Sequence, residues 1–424
     1  MLDITFIREN KDLIELAAQK KHVEFDVNKL LSVDEKRREL LGSIEEKRAK
    51  QNEVSKRISD KSISSEERGF LINDMRDLKE ELSKEEDELK KVMKKWRDLM
   101  LRVPNIPDVS VPEGKSDEEN VEIKTWGDLP KFDFPPKNHV ELMTSLDMVD
   151  LERGSKVHGF RGYFLKNDAV LLSWAIWNYA QQFFLKKNFQ PFLPPTVVKK
   201  EYFYGTGHLP NDAEDLYKTQ DDDYLAGTSE VPMMAYHADE TLKKEDLPKR
   251  YLAFSPCYRR EAGSYGKDTR GLYRVHEFYK LEQVILTEAS HDESVRLHEE
   301  INRNVEEFIE SLGLPYRQVL NCGGDLGLGQ VKKYDIELWR PASETYGEIS
   351  SASYFHDFQS RRFNIRYTDE EGKSRYVHSL NSTAVPTPRI LIALLENYQN
   401  ADGSITVPEV LREFLGKDTI SKAN

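Results

Sequence analysis

The chain has 424 residues, 38% of them hydrophobic and 32% charged, and carries a formal net charge of −13. This is a globular composition with room for two domains; it excludes a disordered polymer, and its acidity excludes a protein that coats nucleic acid by net charge alone. With only Cys257 and Cys322, and no CxxC or HExxH, neither a disulfide framework nor a structural zinc site is expected.

The N-terminus, MLDITFIRENKDLIELAAQKK, lacks the apolar core of a secretory signal and is too acidic for a transit peptide, which points to the cytoplasm. Residues 30–99 then carry two long helical patterns. In the second, Leu71, Met75, Leu78, Leu82, Glu85, Leu89, Val92, Trp96 and Leu99 recur in steps of three and four, a heptad seam apolar at all but Glu85. The first is weaker: Leu30, Arg37, Ile44, Gln51 and Ile58 stand seven apart, with Leu40, Lys47 and Val54 between. Ser64 and Glu67 read as a capping box that opens the second helix after a turn at 59–65. Helices joined by so short a turn run antiparallel, and about 35 residues each at ~1.5 Å per residue make an arm on the order of 50 Å long. The residues before Asn28 are expected to form short helices at its base. Lys47, Arg48, Lys50, Lys56, Arg57 and Lys61 crowd the distal half of the first helix. They read either as a solvated coiled-coil face or as a stripe that meets phosphates, since a Debye length of about 8 Å hides distant acids.

Pro104, Pro107 and Pro112, followed by GKSDEEN, end the helix and make a linker. The expected division is an arm domain at 1–103, a linker at 104–124 and a second domain at 125–424. In the latter, short β-type runs at 251–254, 278–286 and 363–367 alternate with helical ones. Residues 168–188 read as a buried helix, interrupted by Ser173, Asn178, Gln181 and Gln182 too often to span a membrane. The mixed order favours an α+β fold on an antiparallel sheet, and the final SKAN reads as a frayed tail.

Between Cys257 and Phe278, two strand-like runs flank a glycine- and charge-rich loop with arginines on both sides. Planar guanidinium forks that stay charged suit phosphate; a hairpin of solvated charges would explain any one of them. Arg259-Arg260-Glu261 fits the Arg-x-Glu signature of motif 2 of class II aminoacyl-tRNA synthetases. Residues 188–195 (NFQPFLPP) resemble motif 1, and the helix-forming run at 388–396 (PRILIALLE) resembles motif 3. With TSEVP, EISS, DFQSRR and LENYQ, the string looks like the seryl-tRNA synthetase family, over essentially the whole chain and including an N-terminal two-helix arm on an antiparallel-sheet catalytic domain flanked by helices.

That resemblance implies ATP-dependent activation of L-serine as seryl-adenylate, then transfer to the 3′ end of tRNA(Ser) and, where present, of tRNA(Sec). It implies a homodimer built through motif 1, with neither membrane nor DNA as partner. Arg259 would hold the α-phosphate and the serine carboxylate, and Arg274 and Arg389 the far phosphates; Arg259 and Arg389 would be the catalytic pair. Glu261 would read the adenine amino group and Phe278 would stack on its ring, with Arg260, Val275, Ile349 and Ser350 also in the ATP set. Glu348 and Ser351 would hold Mg²⁺. Thr228, Ser229, Glu230, Glu282, Asn381 and Thr383 would receive serine, and the basic stripe on the arm would meet tRNA. Other readings stay open at this point: a structural Arg259–Glu261 pair, an ST-turn at Thr228, a ligase for a carrier protein, and an inactive RNA-binding paralogue.

Several positions depart from the family pattern. Asn381-Ser382-Thr383-Ala384 stands where bacterial members have Asn-Gly-Ser-Gly, and Pro386 and Pro388 crowd the start of motif 3. Asn188 replaces a frequent glycine, a position where Asn accepts left-handed geometry. Gly323-Gly324-Asp325 replaces Thr-Gly-Asp, and the glycine string from Gly324 to Gly329 lacks the βαβ context of a dinucleotide fingerprint. His158 and His276 read as structural.

Overall fold

The computed structural model describes residues 1–264 and 271–422; the middle of the glycine-rich loop, residues 265–270, and the last two residues of the tail lie outside it. The chain forms two compact units, one of residues 3–19 and 23–104, the other of 1–2, 20–22 and 105–424.

In the smaller unit, α1 (Ile4–Glu9) and α2 (Lys11–Lys20) precede two long antiparallel helices, α3 (Val27–Ser59) and α4 (Ser65–Met100). Every seam position named above is buried or half-buried, and several of its polar members are paired. Glu85 accepts from Ser43 Oγ at 2.9 Å and from Lys47 Nζ at 2.9 Å. Arg37 bonds Asp34 at 2.7 Å and lies 4.9 Å over the ring of Trp96, whose indole N–H also donates to Asp34. Two polar layers in an apolar seam fix which residues face each other, because any slip would leave a buried charge unpaired. Ser64 caps α4 by accepting from Glu67 N at 3.1 Å. Only that half of the expected box is seen, since the Glu67 carboxylate bonds Arg57 at 2.6 Å.

The larger unit is built on an eight-stranded sheet. In chain order its strands are β1 (Val121–Trp126), β2 (Gln190–Phe192), β3 (Lys249–Tyr258), β4 (Glu277–Thr287), β5 (Tyr316–Leu320), β6 (Lys332–Arg340), β7 (Thr345–His356) and β8 (His378–Thr387). Their order across the sheet is β1-β5-β6-β7-β8-β4-β3-β2, antiparallel throughout except between β2 and β3. The expected α+β class is therefore what is observed. The segment read as a linker joins this unit from Asn105 on, and its last residues open the edge strand β1, because Val121 and Trp126 find partners in Leu320 and Tyr316. The run at 363–367 is not one strand: Phe363 ends a short helix (Phe358–Phe363), Asn364 turns left-handed at φ 53°, and a strand begins only at Arg366.

One face of the sheet is apolar. Leu281, Ile285, Ala352 and Leu380 pack there with α5 (Asp168–Leu185), α6 (His291–Ser311) and α7 (Arg389–Asn397) in a single core, each fully buried Leu, Ile or Phe contributing about 2 kcal/mol. Asn188, after α5, has φ 64°, the left-handed geometry expected of it. Among the described residues no helix is long and apolar enough to cross a membrane.

Candidate active site

The opposite face of the sheet carries a second apolar core at one end, where Tyr251, Ala253, Val284 and Leu286 pack, and is polar beside it. Alternation along β4 turns Phe278, Lys280 and Glu282 to the same side. In register, Thr383 of β8 stands opposite Glu282, and Asn381 opposite Ser353 of β7. These residues line a cavity of about 320 Å³.

Cationic groups mark one part of it. Arg389, the first residue of α7, donates from Nε to Tyr273 O at 3.1 Å and from Nη1 to Glu348 O at 3.0 Å, with its guanidinium 4.5 Å over the Tyr273 ring. Arg259 donates from Nε to Gly227 O at 3.1 Å and lies 5.4 Å from the ring of Phe278. A Cβ at Gly227 would stand 3.2 Å from Arg259 Cγ, so the glycine leaves the arginine room. Arg274 bonds Glu261 at 2.6 Å. Burial pushes the Glu261 carboxyl up, but that bond and the charges of Arg274, Arg259 and Arg389 outweigh it and hold the group below the usual glutamate range. The glutamate partner of the Arg-x-Glu sequence is thus Arg274, across the loop, rather than Arg259.

At the other part, Lys280 Nζ donates to Thr228 Oγ1 at 2.8 Å and pairs with Glu282 at 2.5 Å. Glu230 is 9% exposed and accepts from Gln359 Nε2, whose amide oxygen takes Ser379 Oγ at 2.7 Å. Burial first, then the charge of Glu282, raise the Glu230 carboxyl to about 7, against the Gln359 bond and the charges of Lys280 and Arg259. His208 holds Thr206 Oγ1 at 2.8 Å, and burial, Arg259 and Lys280 lower its imidazole to about 4.

Most of the residues singled out in the sequence meet in this cavity: Glu261, Arg274, Val275, Phe278, Ile349 and Ser351 with Arg259, Glu348 and Arg389, and Thr228, Glu230, Glu282, Asn381 and Thr383. Three do not line it. Arg260 is exposed and its amide donates to Asp215 O at 2.9 Å. Ser229 is buried with its hydroxyl on Ser255 at 2.7 Å, and Ser350 donates to Thr383 O at 2.5 Å, so both brace the wall from behind. Sequence reasoning missed Lys280, His208, Tyr273, Gln330 and Ser353, all of which line the cavity. Lys280 was within reach, since it lies two residues from both Phe278 and Glu282 on one strand face.

The arrangement, guanidinium forks at one part and an oxygen-rich pocket for a small polar group at the other, suits a reaction that joins a nucleotide to a small zwitterion. The seryl-tRNA synthetase N-terminal domain family matches residues 1–107, and the class II tRNA synthetase core domain family (G, H, P, S and T) matches 216–398. A serine–tRNA ligase of Deinococcus radiodurans is 43% identical over 417 residues, 98% of each chain. The chain belongs to the seryl-tRNA synthetases. A serine–tRNA ligase of Treponema denticola is 41% identical over 424 residues, covering 99% of this chain and all of its own. The structure is similar to that of seryl-tRNA synthetase from Pyrococcus horikoshii complexed with ATP, at TM-score 0.92 and 36% identity with both chains covered in full. It also resembles the cytoplasmic enzyme of Naegleria fowleri in complex with AMP, at TM-score 0.87 and 32% identity, over 100% and 99% of the two chains. As a seryl-tRNA synthetase the chain binds ATP. Among its described residues no group of three or more His, Cys, Asp or Glu could hold a metal ion by itself. The cavity offers the oxygens of Glu348 and Ser351, a set that fits a Mg²⁺ completing its shell with nucleotide phosphates.

Proposed function

We propose that this cavity performs both half-reactions of a serine–tRNA ligase, with the residues in the following roles. In the first, a serine carboxylate oxygen attacks the α-phosphorus of ATP. The bond to the bridging oxygen breaks, and its electron pair leaves with pyrophosphate. In the second, the terminal ribose hydroxyl of tRNA attacks the seryl carbonyl carbon and AMP departs with the former carboxylate oxygen. The attacking carboxylate is already ionised, so the first step needs no general base.

Arg259 is held by Gly227 O so that its free edge can meet the α-phosphate as charge develops there. Arg389 and Arg274 take the β- and γ-phosphates, and Glu261 and Phe278 receive the adenine. When bound with ATP at Glu348 and Ser351, Mg²⁺ supplies neutralisation of phosphate charge. Glu230 and Glu282 attract the serine ammonium, Lys280 orients Glu282 and Thr228, and Thr383 meets the hydroxyl. Lys47 has a structural task in the arm seam, so tRNA phosphates fall to Arg48, Lys50, Lys56, Arg57 and Lys61, on the unit of residues 3–19 and 23–104. Arg48, Lys50 and Arg57 also pair with Glu86, Asp74 and Glu67 on exposed surface, where such pairs are worth little and exchange for phosphate readily. The partners are thus L-serine, ATP and tRNA(Ser). A second copy is assigned to the apolar face of α5 and β2, where Leu193 is 83% and Trp174 54% exposed beside cavities of about 670 and 580 Å³ that share Trp174, Trp177 and Phe254.

The observation that carries the serine assignment is the Thr383–Glu282 pair facing each other beside Lys280 and Thr228. A pocket built to bond a hydroxyl is left with unpaired groups when alanine enters it. Pyrophosphate exchange is therefore expected to favour serine over alanine by about 10⁴ in kcat/KM. Comparable exchange with both would remove the assignment.

The same pocket sets a pH dependence. Glu230, raised to about 7, is neutral below that pH and ionised above it. Since only the carboxylate attracts an ammonium, the KM for serine should fall as pH rises from 6 to 8. In Glu230→Gln that slope should vanish; a slope that persists would place the titrating group elsewhere.

A further inference from the structure

The glycine string after β5 and the glutamine that follows it take no part in the roles above, yet this loop is held more firmly than a connection requires. Lys21 is 3% exposed, and its ammonium donates to the carbonyls of Gly327 at 3.0 Å, Leu328 at 2.9 Å and Gln330 at 2.5 Å. Asn105, also buried, donates from its amide side chain to Gly329 O at 2.9 Å and from its backbone to Leu328 O at 2.9 Å. Every carbonyl from 327 to 330 therefore meets a donor. A Cβ at Gly329 would stand 2.6 Å from the Phe358 ring, so only glycine lets the loop pass. A buried ammonium facing carbonyls is costly unless its hydrogen bonds are all made, and burial alone pushes the Lys21 pKa down. What this costly group secures is the path of the loop.

That path aims one side chain into the active site. Gln330 lines the cavity; its Oε1 accepts from Gly327 N at 2.6 Å and its Nε2 donates to Ser353 Oγ at 2.8 Å. Ser353 is the register partner of Asn381, which lies two residues along β8 from Thr383 on the same face. Gln330 thus closes the cavity one side-chain row beyond the Thr383–Glu282 row.

We propose that Gln330 is the end wall of the amino-acid subsite and a specificity-determining residue, and that Lys21 is the positioning residue that sets it by gathering the carbonyls of 327, 328 and 330. This rests on the assignment of serine to the Thr383–Glu282 end of the cavity. With both ends of its amide engaged, Gln330 is a fixed wall that a hydroxymethyl group fits and an added methyl group meets. Shortening it opens space beyond the serine hydroxyl and loosens the row that holds Ser353.

The test is pyrophosphate exchange by the full-length protein with serine and with threonine, for Gln330→Ala, Gln330→Met, Lys21→Met and, as a control, Thr383→Ala. Gln330→Ala should raise the KM for serine about tenfold and narrow the preference for serine over threonine by about tenfold, the range one methyl group commands, with the KM for ATP unchanged. Gln330→Met, which keeps the volume, should retain most of the preference. Lys21→Met should move KM and preference in the same direction as Gln330→Ala, by less, without lowering kcat for serine in proportion. An unchanged serine-to-threonine ratio in Gln330→Ala, with Thr383→Ala impaired, overturns the wall while leaving the serine subsite standing. If Thr383→Ala also leaves serine exchange intact, the subsite assignment fails and the wall with it. If Lys21→Met does not fold, the two Gln330 variants decide the wall, and Lys21→Arg, read by the same ratio, decides the positioning.

Discussion

Arg259→Lys should lower serine-dependent pyrophosphate exchange by about 10²–10³ in kcat while thermal unfolding stays near that of the unsubstituted chain. The reason is geometric. The native guanidinium spends its Nε on Gly227 O and keeps its planar outer edge for two acceptors at once. A lysine ammonium keeps the charge but cannot bond Gly227 and also present a two-pronged edge. The substitution leaves Glu261 in place, because that carboxylate bonds Arg274. A melt shifted by many degrees with exchange scaled to the folded fraction would instead mean that Arg259 is structural.

Removing the arm should separate the two half-reactions. A chain in which residues 30–99 are replaced by a short turn loses material only from the unit of residues 3–19 and 23–104. Every side chain assigned to serine activation lies in the other unit, so exchange should stay near its full rate. Aminoacylation of tRNA should fall by orders of magnitude, since the cations assigned to tRNA go with the arm. A milder form replaces Arg48, Lys50, Lys56 and Arg57 with Gln and spares Lys47, whose bond to Glu85 belongs to the seam. It should raise the KM for tRNA and reduce the log–log salt slope by about one for each phosphate that no longer meets a cation. Aminoacylation unchanged in both proteins would make the arm a spacer.

Features written in local spacing are legible in the sequence itself. The seam of α4 repeats over heptads, and a period of 3.5 residues has one structural solution; Ser64 announces a helix start, and Asn188 tolerates φ 64° as few residues do. The Arg259-Arg260-Glu261 triplet, just past the end of β3, and the run at 388–396, which forms most of α7, are legible because each is contiguous in the chain.

The pairing of those residues was decided by the tertiary structure alone. Glu261 bonds Arg274, thirteen positions on, rather than Arg259, two positions before it. Lys47, one of six similar cations along the arm, pairs with Glu85 of the facing helix, a partner that spacing along its own helix does not reveal. Ser229, Ser350 and Arg260 stand beside cavity residues in the chain yet point away, as alternation and burial require. The contact between Lys21 and Gln330 spans 309 positions, and no periodicity or motif links them. Hydrophobic period and backbone propensity act over a few residues, so they fix elements from the sequence alone. Ion pairs, cavity walls and buried donors depend on which elements the shared core brings within about 3 Å, and only the folded chain settles that.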